Sequence, residues 1–158
     1  MKTLSLTART PDDTRRIGRA LGEHVQTGDL LLLIGELGAG KTTLTQGIAQ
    51  GIGSPDPARS PTFVLVAQYN GRVTVHHADL YRVDNPLEAL ELGFDEFLEN
   101  GVCVIEWAEK APEAFPQDRM EIYITSTGDD VRHIALNAHG LRYEALLDAV
   151  ASTMRHQE

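Results

Sequence analysis

Residues 35 to 42 read Gly35-Glu36-Leu37-Gly38-Ala39-Gly40-Lys41-Thr42, a complete G-x-x-x-x-G-K-T loop. Leu30 to Ile34 lead into it as an unbroken apolar run, the signature of a buried strand. Leu44, Ile48 and Ile52 follow at i, i+4 and i+8, which is one face of a helix. Strand, glycine loop and helix in this order are the context that gives the motif its meaning. Glycines at 35, 38 and 40 let the backbone bend around a phosphate with no Cβ in the way. The loop amides and the helix N-terminus then present N–H donors to an anion. Lys41 has the reach for terminal phosphates, and the Thr42 hydroxyl is a Mg²⁺ ligand by type. Only Lys2, Lys41 and Lys110 are lysines, and one of the three stands where the motif demands it. The expectation is a nucleoside triphosphate site.

A chain of 158 residues is long enough for one domain with one respectable core, so a single domain over 1–158 is expected. Its formal net charge of −9 argues against a general nucleic-acid surface, which needs a basic stripe, and hence against DNA as a partner. The phosphate site is a local positive feature on an acidic protein. Cys103, the lone cysteine, lies in the apolar run Val102 to Ile105 and reads as a buried free thiol. Without an internal disulfide, the chain suits a reducing cytoplasm. No long apolar run marks the N-terminus, so neither a signal peptide nor a membrane anchor is expected.

Local patterns place the remaining elements. Met1 to Ala8 alternates loosely, as an edge strand does. Thr10-Pro11-Asp12-Asp13 is a helix start, and Ile17, Leu21 and Val25 carry that helix to about Gln26, before Gly28. Phe63 to Tyr69 and Arg72 to Leu80 read as strands around Asn70-Gly71, a hairpin signal. Asn85-Pro86-Leu87-Glu88 opens a helix that Gly93 is placed to break. Val102 to Ile105 is a short buried strand, and Met120 to Thr125 with Val131 to Asn137 form a second hairpin across Gly128-Asp129-Asp130. Leu141 to Val150 closes the chain as a helix, with fraying expected from Ser152. The fold class is α/β: a parallel sheet core flanked by antiparallel strands and helices.

A phosphate loop needs a carboxylate for the metal's water shell, a group that orients the attacking water and a sensor of the γ-phosphate. Glu106 directly follows the strand Val102 to Ile105 and is the best metal-side acid. Asp79 ends the second strand of the first hairpin and is a candidate ligand, base or plain turn acid. Ser60-Pro61-Thr62-Phe63 enters that hairpin and carries a hydroxyl suited to sensing phosphate. His76 and His77 are neighbours on a strand, face opposite sides and cannot chelate one metal together. Trp107 suits core packing or the cover of a nucleotide equally well. Arg82 and Arg132 are possible charge stabilisers. The guanine-reading Asn-Lys-x-Asp is absent, which favours adenine over guanine.

The loop 35–43, Ser60-Pro61-Thr62-Phe63, His77-Ala78-Asp79-Leu80-Tyr81-Arg82, Glu91-Leu92-Gly93 and Ile105-Glu106-Trp107 occur in this order. Together they closely resemble the TsaE (YjeE) family, bacterial ATPases of tRNA threonylcarbamoyladenosine biosynthesis, over roughly residues 8 to 135. The resemblance implies a P-loop NTPase fold that binds ATP and Mg²⁺. It further implies work with TsaB and TsaD to sustain repeated formation of threonylcarbamoyladenosine in tRNA. By position, Gly38, Ala39, Gly40, Lys41, Thr42 and Thr43 would cradle the phosphates, and Thr42 and Glu106 would hold Mg²⁺. Lys41, Thr62, Asp79 and Glu106 would form the catalytic set. Trp107 would lie near the nucleotide, and Arg132 on its base side. Two departures stand out: Glu36 where members often have Asp, and Ala78 where they often have an aromatic residue. Neither removes a metal or phosphate ligand. Other classes compatible with the loop are a small-molecule kinase, although 101–119 lacks an arginine-rich lid, and a non-hydrolysing nucleotide-dependent adaptor. Contact with tRNA is expected only indirectly, through the partners.

Overall fold

The computed structural model describes residues 2–36, 38–55 and 66–156. Among these described residues, seven strands form one sheet: β1 (Lys2–Ala8), β2 (Leu30–Ile34), β3 (Val66–Asn70), β4 (Thr74–Asp79), β5 (Val102–Glu106), β6 (Arg119–Gly128) and β7 (Val131–His139). Their spatial order is β1-β7-β6-β2-β5-β4-β3. The four central strands β6, β2, β5 and β4 are parallel, and β7, β1 and β3 add antiparallel pairings on the two sides. The parallel centre explains why Leu30 to Ile34 and Val102 to Ile105 read as continuous apolar runs, since both faces of these strands are covered.

One face is covered by α1 (Pro11–His24), α2 (Lys41–Gly51) and α5 (Leu141–His156). Leu31, Leu33, Val102 and Val104 point to this side and pack with Ile17, Leu21, Leu44, Ile48 and Leu146. The opposite face carries Leu30, Leu32, Cys103 and Ile105. It is covered by α3 (Pro86–Glu91), α4 (Phe94–Asn100) and two single turns of 3-10 helix at 108–110 and 112–114. This is a three-layer α/β fold with the glycine loop at the C-terminal edge of the parallel strands, the edge at which such sheets bind ligands.

The sequence signals hold at most boundaries. Thr10 caps α1 by accepting from the Asp13 amide at 3.1 Å, and Asn85 caps α3 by accepting from the Glu88 amide at 3.2 Å. Gly93, at φ 77°, separates α3 from α4. Three details differ. First, α1 stops at His24, because Val25 already adopts extended backbone. Second, the helix α5 runs on to His156 with no fraying from Ser152: Thr153 bonds the His24 ring at 2.7 Å, and Met154 packs on the core. Third, the first hairpin pairs Asn70 with Thr74, so its loop spans residues 71–73 and not two residues. Gly71 is needed there for closeness and not for a left-handed turn. A Cβ on it would stand 2.2 Å from the Ile52 carbonyl oxygen. The expected start of β3 at Phe63 to Leu65 lies outside the described residues.

The contact of α1 with α2 positions the site. Gly18 and Gly22 on α1 meet Gly47 and Gly51 on α2, and an added Cβ at any of the four would come within 2.2–2.4 Å of a carbonyl oxygen of the other helix. Arg15 and Arg19 lace the rim by bonding Gln46 and Gln50 of α2. The helix that begins with Lys41 is thereby held against α1 with backbone touching backbone.

Candidate active site

The loop between β2 and α2 turns through Gly38 and Gly40, both at positive φ (80° and 112°). L-residues with a Cβ rarely take this conformation, which accounts for glycine at both positions. Gly40 occupies the cap position of α2 and contributes no side-chain oxygen to it, and α2 carries no acid in its first turn. Among the described residues, the N-terminus of α2 therefore has neither a side-chain cap nor an acid of its own in the first turn, and the positive end of the helix dipole is left for an anion. Arg132 on β7 braces the loop through its backbone carbonyls. Its guanidinium donates to the Ala39 carbonyl at 2.8 Å and to the Gly38 carbonyl at 3.4 Å, and it also bonds the Asp129 carbonyl at 2.8 Å. A cleft of about 630 Å³ opens beside the loop, lined by Gly35, Glu36, Gly38 and Ala39 on one wall and 123–126 of β6 on the other.

Facing the loop are the ends of β4 and β5, where Asp79 and Glu106 sit opposite each other in register. Glu106 is 4% exposed and Lys41 5% exposed. The Lys41 ammonium stands 3.8 Å from Glu106 Oε1, a charge–charge approach and not a hydrogen bond. Glu106 Oε2 lies 2.6 Å from His77 Nε2, and His77 Nδ1 lies 3.1 Å from the Tyr69 hydroxyl. Burial raises the pKa of Asp79, and the nearby Glu106 carboxylate pushes the same way. The Tyr81 amide, donating to Asp79 Oδ1 at 2.9 Å, opposes them. Two adjacent carboxylates in unlike surroundings are a common arrangement where one binds and one moves a proton.

Trp107, the next residue after Glu106, is left-handed at φ 61°. For a bulky side chain this costs on the order of 1–3 kcal/mol, a strain that persists where surrounding contacts over-determine it. The consequence is visible: the chain turns sharply at the end of β5, and the Trp107 ring lies under Lys41 Nζ at 4.3 Å. Tyr81 packs on the same ring with centroids 5.0 Å apart.

Lys41, Asp79, Glu106 and Trp107 are thus brought together beside Gly38, Ala39, Gly40, Thr42 and Thr43, while Arg132 reaches the loop backbone from β7. Thr62 lies outside the described residues. His76 and His77 do point to opposite faces. His76 stacks on Phe97 at 4.6 Å, and its Nε2 has no hydrogen-bond partner among the described residues. Sequence reasoning missed Tyr69 and His77 as parts of the site. The signal available was period two: His77 and Asp79 must share a face of β4, and that face is the one Glu106 occupies.

Among the described residues no helix is long and apolar enough to cross a membrane. A sequence model of the family described as "Threonylcarbamoyl adenosine biosynthesis protein TsaE" matches residues 8–134. The chain is 40% identical over 153 residues to the tRNA threonylcarbamoyladenosine biosynthesis protein TsaE of Bacillus subtilis, covering 96% of each chain. It is 36% identical over 130 residues to the protein of the same name from Treponema pallidum, covering 82% of this chain and 96% of that one. In three dimensions it is similar to the crystal structure of Bacillus subtilis YdiB, with a TM-score of 0.82, 37% identity, and coverage of 99% and 97%. With the family matched over most of its length and the fold matched over nearly all of it, this chain belongs to the TsaE family of tRNA threonylcarbamoyladenosine biosynthesis.

Proposed function

We propose that this chain is a Mg²⁺-dependent ATPase whose turnover supports repeated rounds of threonylcarbamoyladenosine formation in tRNA, together with TsaB and TsaD in the cytoplasm. The observation that carries the reading is the buried approach of Lys41 to Glu106 at 3.8 Å, at the mouth of an uncapped helix behind a glycine loop. A buried cation and a buried anion held short of a hydrogen bond suit a site whose lysine is to serve a phosphate. The 630 Å³ cleft between the loop and β6 has room for the nucleoside half of the ligand.

The residues fit Mg²⁺ on donor chemistry. Thr42 and Glu106 offer hard oxygen atoms, whereas the described residues contain no group of three His, Cys, Asp or Glu side chains able to cage a metal. Mg²⁺ is characteristically held by one or two protein oxygens together with phosphates and waters. When bound it would neutralise charge developing on the phosphate oxygens. Lys41 does the same from the α2 side. Asp79, with its raised affinity for a proton, would orient the attacking water and accept its proton. Arg132 is committed to loop carbonyls and does not act as an arginine finger. Hydrolysis by the chain alone is slow in this reading, and a partner stimulates it. With a net charge of −9, the chain meets tRNA only through the complex.

The test is tRNA threonylcarbamoylation over many turnovers with TsaB, TsaD and threonylcarbamoyl-adenylate. It is run with this chain, without it, and with Glu106→Ala. Sustained product with the wild type alone supports the reading. Product that stops after one round in every reaction, with active partners, overturns it.

A further inference from the structure

Tyr69, His77 and Glu106 lie on three neighbouring strands and on one face of the sheet. The register makes them a diagonal. Tyr69 pairs with Val75, two residues before His77, and Glu106 pairs with Asp79, two residues after it. The line climbs from β3 through β4 to the C-terminal end of β5, which faces the phosphate loop. His77 is fully buried, and Tyr69 and Glu106 are 4% exposed each. Both ring nitrogens of His77 are used, Nδ1 by Tyr69 and Nε2 by Glu106. An ionised carboxylate only accepts, so Nε2 carries the proton directed at Glu106 Oε2. In the neutral ring Nδ1 then accepts from the Tyr69 hydroxyl, which fixes the tautomer and the plane of the imidazole. Glu106 is left with one oxygen tied back into the sheet and the other, Oε1, turned toward Lys41. A glutamate side chain has three torsions, and the bond to His77 restrains the last of them, which decides which oxygen faces Lys41.

We propose that His77, itself oriented by Tyr69, is a positioning residue that clamps Glu106 Oε2 and thereby presents Oε1 to the phosphate loop. The assignment of Glu106 to the metal side rests on the ATPase reading above, but the clamp itself does not. Partners that orient a ligating carboxylate are worth about 10–100-fold in metal affinity or activity. His77→Leu removes the donor, His77→Gln restores an N–H at similar reach, and Tyr69→Phe removes only the hydroxyl.

The experiment compares these three full-length variants with wild type by thermal unfolding, ATP affinity with and without Mg²⁺, turnover, and a crystal structure of His77→Leu. His77→Leu is expected to weaken the Mg²⁺-dependent part of ATP affinity and turnover by about 10–100-fold, with Mg²⁺-free ATP affinity within about threefold of wild type. His77→Gln is expected to recover most of the loss, and Tyr69→Phe to show a smaller loss of the same kind. In a Glu106→Gln background, His77→Leu is expected to add no further loss. A folded His77→Leu with wild-type Mg²⁺ dependence overturns the proposal, as does an equal loss in both Glu106 backgrounds. If the wild type neither binds nor hydrolyses ATP, the functional reading fails, and the crystal structure alone decides the clamp. A Glu106 carboxylate swung away from its place supports it; one unmoved overturns it.

Discussion

Lys41 Nζ rests 4.3 Å from the centre of the Trp107 ring and 3.8 Å from Glu106 Oε1. The lysine that the motif assigns to phosphate is therefore parked on an aromatic face and beside a carboxylate. Cation–π contacts of this kind are worth about 0.5–2 kcal/mol, little enough for a triphosphate to displace. Trp107 is the only tryptophan in the chain, so its emission reports the event directly. Adding ADP or ATP is expected to change the fluorescence of the wild type. Lys41→Ala is expected to show an altered spectrum from the outset and almost no response. Superimposable ligand-free spectra for the two proteins would contradict the parked arrangement.

The two carboxylates at the strand ends are expected to separate in kinetics. Asp79→Asn keeps the size and the bond from the Tyr81 amide but loses the proton acceptor. Turnover should fall by about 10²–10⁴-fold while the ATP dissociation constant stays within about threefold. Glu106→Gln should instead impair the Mg²⁺ dependence of both. Steady-state ATPase assays across a Mg²⁺ titration distinguish them, and identical behaviour of the two variants would remove the division of roles.

How much of this was legible beforehand depends on the range of each interaction. The β2–loop–α2 unit was readable because its cause is local: an apolar strand, positive φ at Gly38 and Gly40, and a helical apolar stripe. Caps at Thr10 and Asn85 were readable for the same reason. Asn70-Gly71 announced the right hairpin through the wrong mechanism, since Gly71 answers to the Ile52 carbonyl of a different element. The link from Tyr69 through His77 to Glu106 requires knowing that β3, β4 and β5 are adjacent and in what register. A histidine doublet on a strand says only that one member faces each side. The bonds of Arg132 to the Gly38 and Ala39 carbonyls were not readable either, because they are set by the β6–β7 hairpin folding back on the loop, 93 residues along the chain.

The four-glycine contact of α1 with α2 was equally invisible, because Gly18-x-x-x-Gly22 and Gly47-x-x-x-Gly51 acquire meaning only when the two helices are laid together. It yields a stability prediction. Gly47→Ala improves helix propensity by about 1 kcal/mol, yet its Cβ would stand 2.2 Å from the Arg15 carbonyl oxygen. Separating the helices costs more than the propensity gain, since overpacking typically costs about 1–3 kcal/mol and backbone cannot step aside like a side chain. A net loss of about 1–2 kcal/mol in urea unfolding is expected, together with weaker nucleotide binding as Lys41 shifts. Gly53→Ala is the contrast: nothing lies within 4 Å of its Cβ, and any cost comes from its φ of 81° alone. A Gly47→Ala protein as stable as wild type would mean the helices slide freely.

Cys103 supplies a pH prediction with a definite sign. It is fully buried on β5, on the face away from Glu106, and burial raises its pKa from 9.0 to about 12. In the unfolded chain the thiol ionises near its ordinary value, while in the native protein it stays protonated. Above that ordinary value the unfolded state binds fewer protons than the native state, so stability falls as pH rises and the loss is complete only past the native pKa. By pH 10 this one group should remove about 1.4 kcal/mol from the unfolding free energy. Tyr143 and Tyr123, also raised, act in the same direction at higher pH, so the measurement is a difference. Unfolding free energies of wild type and Cys103→Val are compared at pH 7 and pH 10, where the variant is expected to lose less by about that amount. The same burial predicts that a thiol reagent modifies Cys103 at pH 8 only as fast as the protein opens, with a rate that rises in urea along the unfolding curve. Rapid modification of the native protein, or equal pH dependence in the two chains, would mean that β5 is open to solvent at this position.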